Sequence, residues 1–305
     1  MVAKKIVITG AGGFIGRHLV RKFAEAGHAI TAIVHHWSSG NPMPTDLANV
    51  IQGSCNDTDF LQKTFAEISP DVVIHLASKT NPSRDLTDLG SQMRSTFEPA
   101  VHVAQALPSS IELALFFGSC EEYGNGAVPF REEQAPVCFS PYGWGKIAAH
   151  YGVSLIAKLR DLPTCWARPF LTFGPNQPSG LLIPTVIKGC LENRKIPLTL
   201  GQQTRDFLYV EDLCRMVEVL LKDSGKAAGQ TINLCSGKPR TIRSVAEEIR
   251  KAAGSGTLDF GAVPYRKEEA MEFYGSPEKF ERLFGKFEMT PFSEAIAKTV
   301  QAYRQ

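Results

Sequence analysis

The chain has 305 residues, 43% hydrophobic and 21% charged, which allows a large buried core and excludes disordered and fibrous classes. Its 33 basic and 31 acidic residues nearly cancel, with no lysine or arginine block, so a nucleic-acid partner is not expected. No apolar run, Ile111 to Phe117 among the longest, approaches the length of a bilayer span, and MVAKKIVITG passes from two lysines straight into a short strand. The expectation is a cytoplasmic protein with no membrane partner.

In chain order, Lys4 to Thr9 reads as a first strand, His18 to Ala26 as its helix and Ala29 to Val34 as a second strand. Val72 to Leu76 and Leu113 to Phe117 are further buried strands, each preceded by a helical stretch ending near Pro70 or Pro108. Strands alternating with helices predict an α/β fold, a Rossmann-type doubly wound parallel sheet. After Arg168 the texture changes, with Pro169, Gly174, Pro175, Pro178, Gly180 and Pro184 close together. A dinucleotide-binding domain over residues 1–167 and a smaller mixed α/β region over residues 168–305 are expected, with the chain crossing back between them. In the latter, Thr231 to Leu234 reads as a strand, followed by a turn at Ser236 and Gly237 and a helix from about Ser244.

TGAGGFIG follows the first strand directly and opens a helix, with glycines at 10, 13 and 16. Glycine suits these positions because the turn is tight and backbone must approach a pyrophosphate. The helix amino terminus then offers unpaired N–H groups and a partial positive charge. Gly10, Gly13, Phe14, Ile15 and Gly16 are thus candidate contacts for NAD or NADP. Such sites usually carry an acidic residue at the end of the second strand, but here IVHHWSSG puts His35 there, with His36 beside it. Neither a carboxylate for NAD nor an arginine for the 2′-phosphate of NADP is present, so the choice stays open, as does a solvated role for both histidines. Seven cysteines are scattered without a CxxC pair or a histidine at ligand spacing, which predicts reduced thiols and no metal site.

SPYGWGKIAAH carries Tyr142 and Lys146, four residues apart and so on one face of a helix. A phenol needs a nearby cation to exchange protons near neutral pH, and Lys146 can supply it. An ordinary helix surface is the alternative. The strand Leu113 to Phe117 ends in GSCEEYG, which sets Ser119 at the carboxyl edge of the sheet, where open α/β sheets bind ligands. Ser119 can bind a reacting hydroxyl there. Glu121 and Cys120 offer a base and an acid, unless Glu121 and Glu122 are simply a solvated turn.

Taken with HLAS at 75–78, RPFLTFGP at 168–175, RDFLYVEDL at 205–213 and NLCSGKPRTI at 233–242, these motifs make the whole chain resemble one family. It is the extended short-chain dehydrogenase/reductases, specifically the NAD(P)-dependent nucleotide-sugar epimerases, dehydratases and 4-ketosugar reductases. The resemblance implies a nucleotide-diphosphate sugar as partner. It implies that Tyr142 is the acid/base, that Lys146 holds Tyr142 and the nicotinamide ribose, and that Ser119 hydrogen-bonds the substrate. It also implies cofactor contacts at His35, Ser54, Leu76, Ala77 and Ser78, and substrate contacts at Arg205, Tyr209 and Arg266. Arginine suits phosphate through its bidentate fork, with a surface ion pair as the alternative for each. By the same resemblance a homodimer forms through two helices containing His102 and Tyr151.

The chain departs from the family pattern at Ser54, where an acid is usual, and at Ser95 and Leu171, where asparagines are usual. The shared step, exchange of a hydroxyl proton and a hydride at sugar C4, leaves several reactions open. Dehydratases usually carry Asp-Glu after the Ser/Thr, where this chain has Cys120 and Glu121. A 4-ketosugar reductase or 4-epimerase is therefore expected first, and a 4,6- or 5,6-dehydratase using Glu121 and Cys120 second. A non-catalytic dinucleotide-binding regulator would lack the tyrosine or the lysine, and both are present.

Overall fold

A computed structural model describes residues 2–35, 46–80, 83–267 and 269–304; His36 lies outside them. In chain order the strands are β1 (Lys5–Thr9), β2 (Ala29–Val34), β3 (Asn49–Gln52), β4 (Val72–His75), β5 (Leu113–Phe117), β6 (Thr164–Pro169), β7 (Leu171–Phe173), β8 (Lys195–Leu198), β9 (Thr204–Tyr209), β10 (Thr231–Leu234), β11 (Pro239–Thr241) and β12 (Thr257–Phe260). The α-helices are α1 (Phe14–Glu25), α2 (Thr58–Ile68), α3 (Leu89–Gln92), α4 (Glu98–Ala106), α5 (Pro141–Arg160), α6 (Leu182–Leu191), α7 (Val210–Lys222), α8 (Ser224–Ala227), α9 (Ile242–Ala253), α10 (Glu278–Phe284) and α11 (Phe292–Arg304). Among the described residues no helix is long and apolar enough to cross a membrane.

Seven strands form one sheet in the order β10-β6-β5-β4-β1-β2-β3, and the pairings from β3 across to β6 are parallel. This is the expected Rossmann-type sheet. The central strands are apolar on both faces, as burial under helices requires: every residue of β4 and β5 is buried. Each large apolar side chain taken out of water there contributes roughly 1.5–3 kcal/mol. The chain runs outward from β1 through β2 to β3, then returns to β4 on the other side of β1. That reversal leaves a crevice at the carboxyl ends of β1 and β4, the usual ligand position in such sheets.

Some boundaries differ from the sequence expectation. Helix α1 begins at Phe14 rather than His18, because Gly13 in an extended conformation is its N-cap and Gly16 lies inside its first turn. Helix α9 begins at Ile242, capped by Thr241, whose hydroxyl accepts from the Ser244 amide at 3.1 Å. Strand β3 carries little sequence signal, being short, partly exposed and polar at both ends.

The chain divides into two compact units, one of residues 1–124, 134–168 and 216–232, the other of residues 125–133, 169–215 and 233–305. In the first, Val7, Val73, Phe116 and Trp166 share a core with Leu61 and Phe65 of α2 and Val103 of α4. In the second, β9 pairs antiparallel with β11 and parallel with β7, and β8 pairs with β12. Its hub is the buried carboxylate of Asp206, which accepts from the amides of Ser236, Gly237 and Gly275 and from the Ser236 hydroxyl. The RDFLYVEDL and NLCSGKPRTI motifs are thereby tied together. The excursion at 125–133 is fixed by the Glu132 carboxylate, which accepts from the Asn233 amide at 2.8 Å, and by Phe130 packed 4.8 Å from Phe273.

Candidate active site

The glycine turn is built by close approach. Gly10 has φ +67°, and a Cβ on it would lie 2.7 Å from the Ala77 amide nitrogen and 2.9 Å from the Leu76 carbonyl carbon. A Cβ on Gly16 would lie 2.5 Å from the Gly10 oxygen and 2.7 Å from Ala11 Cα. Any side chain at either position would therefore displace backbone. Helix α1 has no side-chain N-cap, so its first amides keep their capacity to bind an anion. This cradle fits the pyrophosphate of a dinucleotide, with Gly10, Gly13, Phe14, Ile15 and Gly16 around it. Ser54 turns the chain after β3, its hydroxyl accepting from the Asn56 amide at 3.1 Å. His35 follows β2, and its carbonyl accepts from Gln52 Nε2 at 3.5 Å.

The segment that passes Gly10 leads to Tyr142. Leu76 and Ala77 touch the turn, Ser78 shares a hydrogen bond of 2.9 Å with Thr96, and Thr80 hydrogen-bonds the phenol of Tyr142. Tyr142 lies in the first turn of α5, which Ser140 caps by accepting from the Gly143 amide at 3.1 Å. Ser119 also hydrogen-bonds the phenol. Burial pushes the Tyr142 pKa up, opposed by the Thr80 and Ser119 bonds and reinforced by Cys120 and Glu121 nearby, so the phenol is protonated at neutral pH. Lys146 is buried with its ammonium 5.8 Å from the Tyr142 ring centre, donating to the Phe117 carbonyl at 2.6 Å. Burial brings its pKa down to about 8, against the opposing pull of Glu122. The structure thus brings Ser119, Cys120, Tyr142 and Lys146 together, with Glu121 exposed at their edge.

Several neighbours were not singled out from the sequence. Across the sheet, Thr9, His75, Phe116 and Trp166 stand in one row of paired positions. Thr9 bonds the His75 ring at 2.7 Å, and Trp166 stacks on His150 at 4.7 Å. Burial, then the Lys146 charge, pull the His75 pKa down to about 3, so this imidazole is neutral. Glu122, unlike Glu121, is fully buried and ion-paired to Arg168 at 2.8 Å. Ser119 and Glu122 have the spacing of a capping box, and that signal was readable.

In the second unit, Arg205 is engaged with its own surroundings. Its guanidinium donates to the carbonyls of Thr204 and Ala270, at 2.7 and 2.8 Å, and pairs with Glu269. The Glu269 amide in turn bonds the Arg266 carbonyl at 3.1 Å, so Arg205 anchors the turn that carries Arg266, whose side chain is exposed. Tyr209 is buried 5.6 Å from Phe173, and burial, with Glu211 alongside, raises its pKa.

Residues 6–235 match the model of the NAD dependent epimerase/dehydratase family. The chain belongs to that family. It is 25% identical to the UDP-N-acetyl-alpha-D-glucosaminuronate decarboxylase of Bacillus cytotoxicus, over 99% of this chain and 98% of the relative. It is also 25% identical to the CDP-abequose synthase of Salmonella muenchen, over 92% of each chain. Among solved structures, the UDP-glucuronic acid 4-epimerase of Bacillus cereus in complex with UDP-glucuronic acid and NAD superimposes with a TM-score of 0.88, at 23% identity, covering 98% of this chain and 99% of that one.

The cradle makes a direct prediction. Gly16→Ala forces a methyl group against the Gly10 and Ala11 backbone, and overpacking of this kind costs about 1–3 kcal/mol. NADH titration followed by fluorescence is expected to show at least ~10-fold weaker binding, the equivalent of about 1.4 kcal/mol. Undiminished affinity in a folded variant contradicts the assignment of the turn.

Proposed function

We propose that this protein is a nicotinamide-dependent enzyme acting at C4 of a nucleotide-linked sugar, as a 4-ketosugar reductase or 4-epimerase. One observation carries the reading: residues 76–80 run from contact with the Gly10 turn to the phenol of Tyr142, where Ser119 and Lys146 converge. A dinucleotide seated on that turn supplies hydride exchange with the sugar carbon. NAD and NADP both remain compatible with the residues around His35 and Ser54.

The chain's own residues move the proton. Tyr142, protonated and held by Thr80 and Ser119, is an acid poised to donate to a sugar carbonyl oxygen, and its phenolate is the base for the reverse step. Lys146 sets the electrostatics by placing a cation beside the phenol, anchored on the Phe117 carbonyl so that it does not wander. Ser119 orients the reacting hydroxyl. Arg205, Arg266 and Tyr209 are the proposed contacts to the nucleotide diphosphate, with Arg205 acting largely by fixing the turn that presents Arg266. The relatives' names carry different nucleotides and different reactions, so the base of the substrate is unassigned.

Dehydration is the second reading, favoured by the placement of Cys120 and Glu121 close enough to Tyr142 to influence its ionisation. Against it, an ordinary thiol is a weaker acid than the usual carboxylic group, with a pKa near ~8.5. Seven free cysteines support a reducing, cytoplasmic location. A homodimer is also proposed. Trp144, Tyr151, Leu155 and Leu159 are exposed along one stripe of α5, an apolar face that suits a second copy of the chain. Leu155→Glu with Leu159→Glu is expected to yield a folded monomer by light scattering, whereas an unchanged mass contradicts this interface.

Tyr142→Phe is expected to lower turnover by at least ~10²-fold, the usual contribution of a positioned acid or base, while leaving dinucleotide affinity nearly intact. The assay is mass spectrometry of UDP-, GDP-, CDP- and dTDP-hexoses, and of their 4-keto-6-deoxy forms, with each cofactor. Addition of two hydrogens marks a reductase and altered retention at constant mass an epimerase. Loss of water overturns the first reading in favour of the second, and normal turnover by the variant removes Tyr142 from the mechanism.

A further inference from the structure

Glu122 is completely buried, and three donors converge on its carboxylate. Oε1 accepts from the Ser119 amide at 2.8 Å and from Trp166 Nε1 at 3.0 Å, and Oε2 from Arg168 Nε at 2.8 Å. The site is shaped for this group: a Cβ on Gly118 would lie 2.3 Å from both Glu122 Oε1 and Trp166 Nε1. The Arg168 guanidinium also lies 4.7 Å over the Tyr123 ring. Taking a carboxylate and a guanidinium out of water costs several kcal/mol each, and well-packed apolar residues often stabilise such a position as well or better. Stability alone is therefore a poor reason for charge here.

The surroundings supply two better ones. Ser119 and Glu122 form a reciprocal capping box around a short 3₁₀ turn, in which the Ser119 hydroxyl accepts from the Glu121 amide at 3.1 Å. The carboxylate therefore sets the backbone from which Ser119 reaches Tyr142. The negative charge also acts on Lys146, whose ammonium donates to the Phe117 carbonyl two residues before the Ser119 amide; burial lowers the pKa of the lysine and Glu122 opposes that.

We propose that Glu122 is a positioning residue for the proton-transfer group: its carboxylate, held by Trp166 and Arg168, fixes the Ser119 turn and places a buried negative charge at the Ser119 amide, two residues along from the Phe117 carbonyl that anchors Lys146. The inference rests on the reading of Tyr142 and Lys146 as the proton-transfer pair. Other ionisable groups lie close by: burial, then the Arg168 charge, pull the pKa of His150 down to about 4, so this imidazole one turn after Lys146 on α5 is neutral, and burial raises the pKa of the Cys138 thiol near Glu121 and Glu122. His75 on β4 is neutral, Tyr142 lies one turn earlier on α5, Cys120 and Glu121 border the phenol, and Arg168 on β6 is paired with Glu122.

The sign follows from linkage. Removing the negative charge disfavours the ammonium, so the Lys146 pKa falls further and the cation beside Tyr142 is lost at a lower pH. The test is an NMR pH titration of the lysine Cε signals in full-length protein carrying isotope-labelled lysine, with Lys146 assigned by the signal missing from Lys146→Met. The wild-type midpoint is expected near about 8. Glu122→Gln should lower it by on the order of one pH unit, the lower end of neighbouring-charge effects. Glu122→Met with Arg168→Met replaces the buried ion pair by apolar residues, a change such sites often tolerate, and it should lower the midpoint in the same way. This second variant carries the test if the first fails to fold. General loosening would admit water and raise the midpoint toward the ordinary lysine value, so a fall is diagnostic. A midpoint that stays in place or rises in either variant overturns the proposal. Because the titration needs no substrate, midpoints that move as expected support the link even if Tyr142→Phe retains normal turnover, in which case the functional reading alone falls.

Discussion

The close approach of two backbone segments at the centre of the sheet is the constraint on which the rest depends. β1 and β4 are neighbours in space but separated in sequence by a complete excursion through β2 and β3. Their outgoing chains can pass only because Gly10 has no side chain where Leu76 and Ala77 run by. That contact fixes the path of residues 76–80, and with it the position of Thr80 against Tyr142. The helix terminus that suits a pyrophosphate and the phenol proposed to move a proton are thus joined by a few residues of backbone. A short connection of this kind has value, because catalysis requires reacting groups to be held close to productive geometry before substrate arrives.

Around this axis the fold uses two buried carboxylates as fixtures, each accepting several hydrogen bonds. Asp206 gathers three amides and a hydroxyl, and Glu122 gathers an amide, an indole and a guanidinium. Leaving any of these donors unpaired in the interior would cost about 1–3 kcal/mol, so each cluster tends to hold as a unit. The two clusters do different work. Asp206 joins two sequence motifs within one unit, while Glu122 holds the Ser119 turn and, in the proposal above, adds a field to that shape.

Much of this was legible in the sequence, for identifiable reasons. Val72 to His75 and Leu113 to Phe117 are apolar without interruption, and strands of that kind belong in the middle of a parallel sheet. The glycine spacing, Ser119 at a strand end, and the four-residue step from Tyr142 to Lys146 are local patterns whose geometry follows from the elements that carry them. What the sequence hid depends on contacts between distant segments. Glu121 and Glu122 look alike in a string of letters; only the arrival of Trp166 and Arg168 from β6 distinguishes the exposed one from the buried one. Arg205 reads as a free phosphate ligand until Glu269 and the Ala270 carbonyl appear beside it. Thr80 had no local signal, since its importance comes from the path that Gly10 permits.

The central claim is that the glycine turn and the Tyr142 group form one nicotinamide-dependent centre. A crystal structure of the protein grown with NADH, and in parallel with NADPH, tests it most directly. The account predicts the pyrophosphate against the amino terminus of α1 near Gly13 to Ile15, with the nicotinamide ring beside Tyr142 and Lys146. A dinucleotide bound elsewhere, or one whose nicotinamide points away from Tyr142, would contradict it.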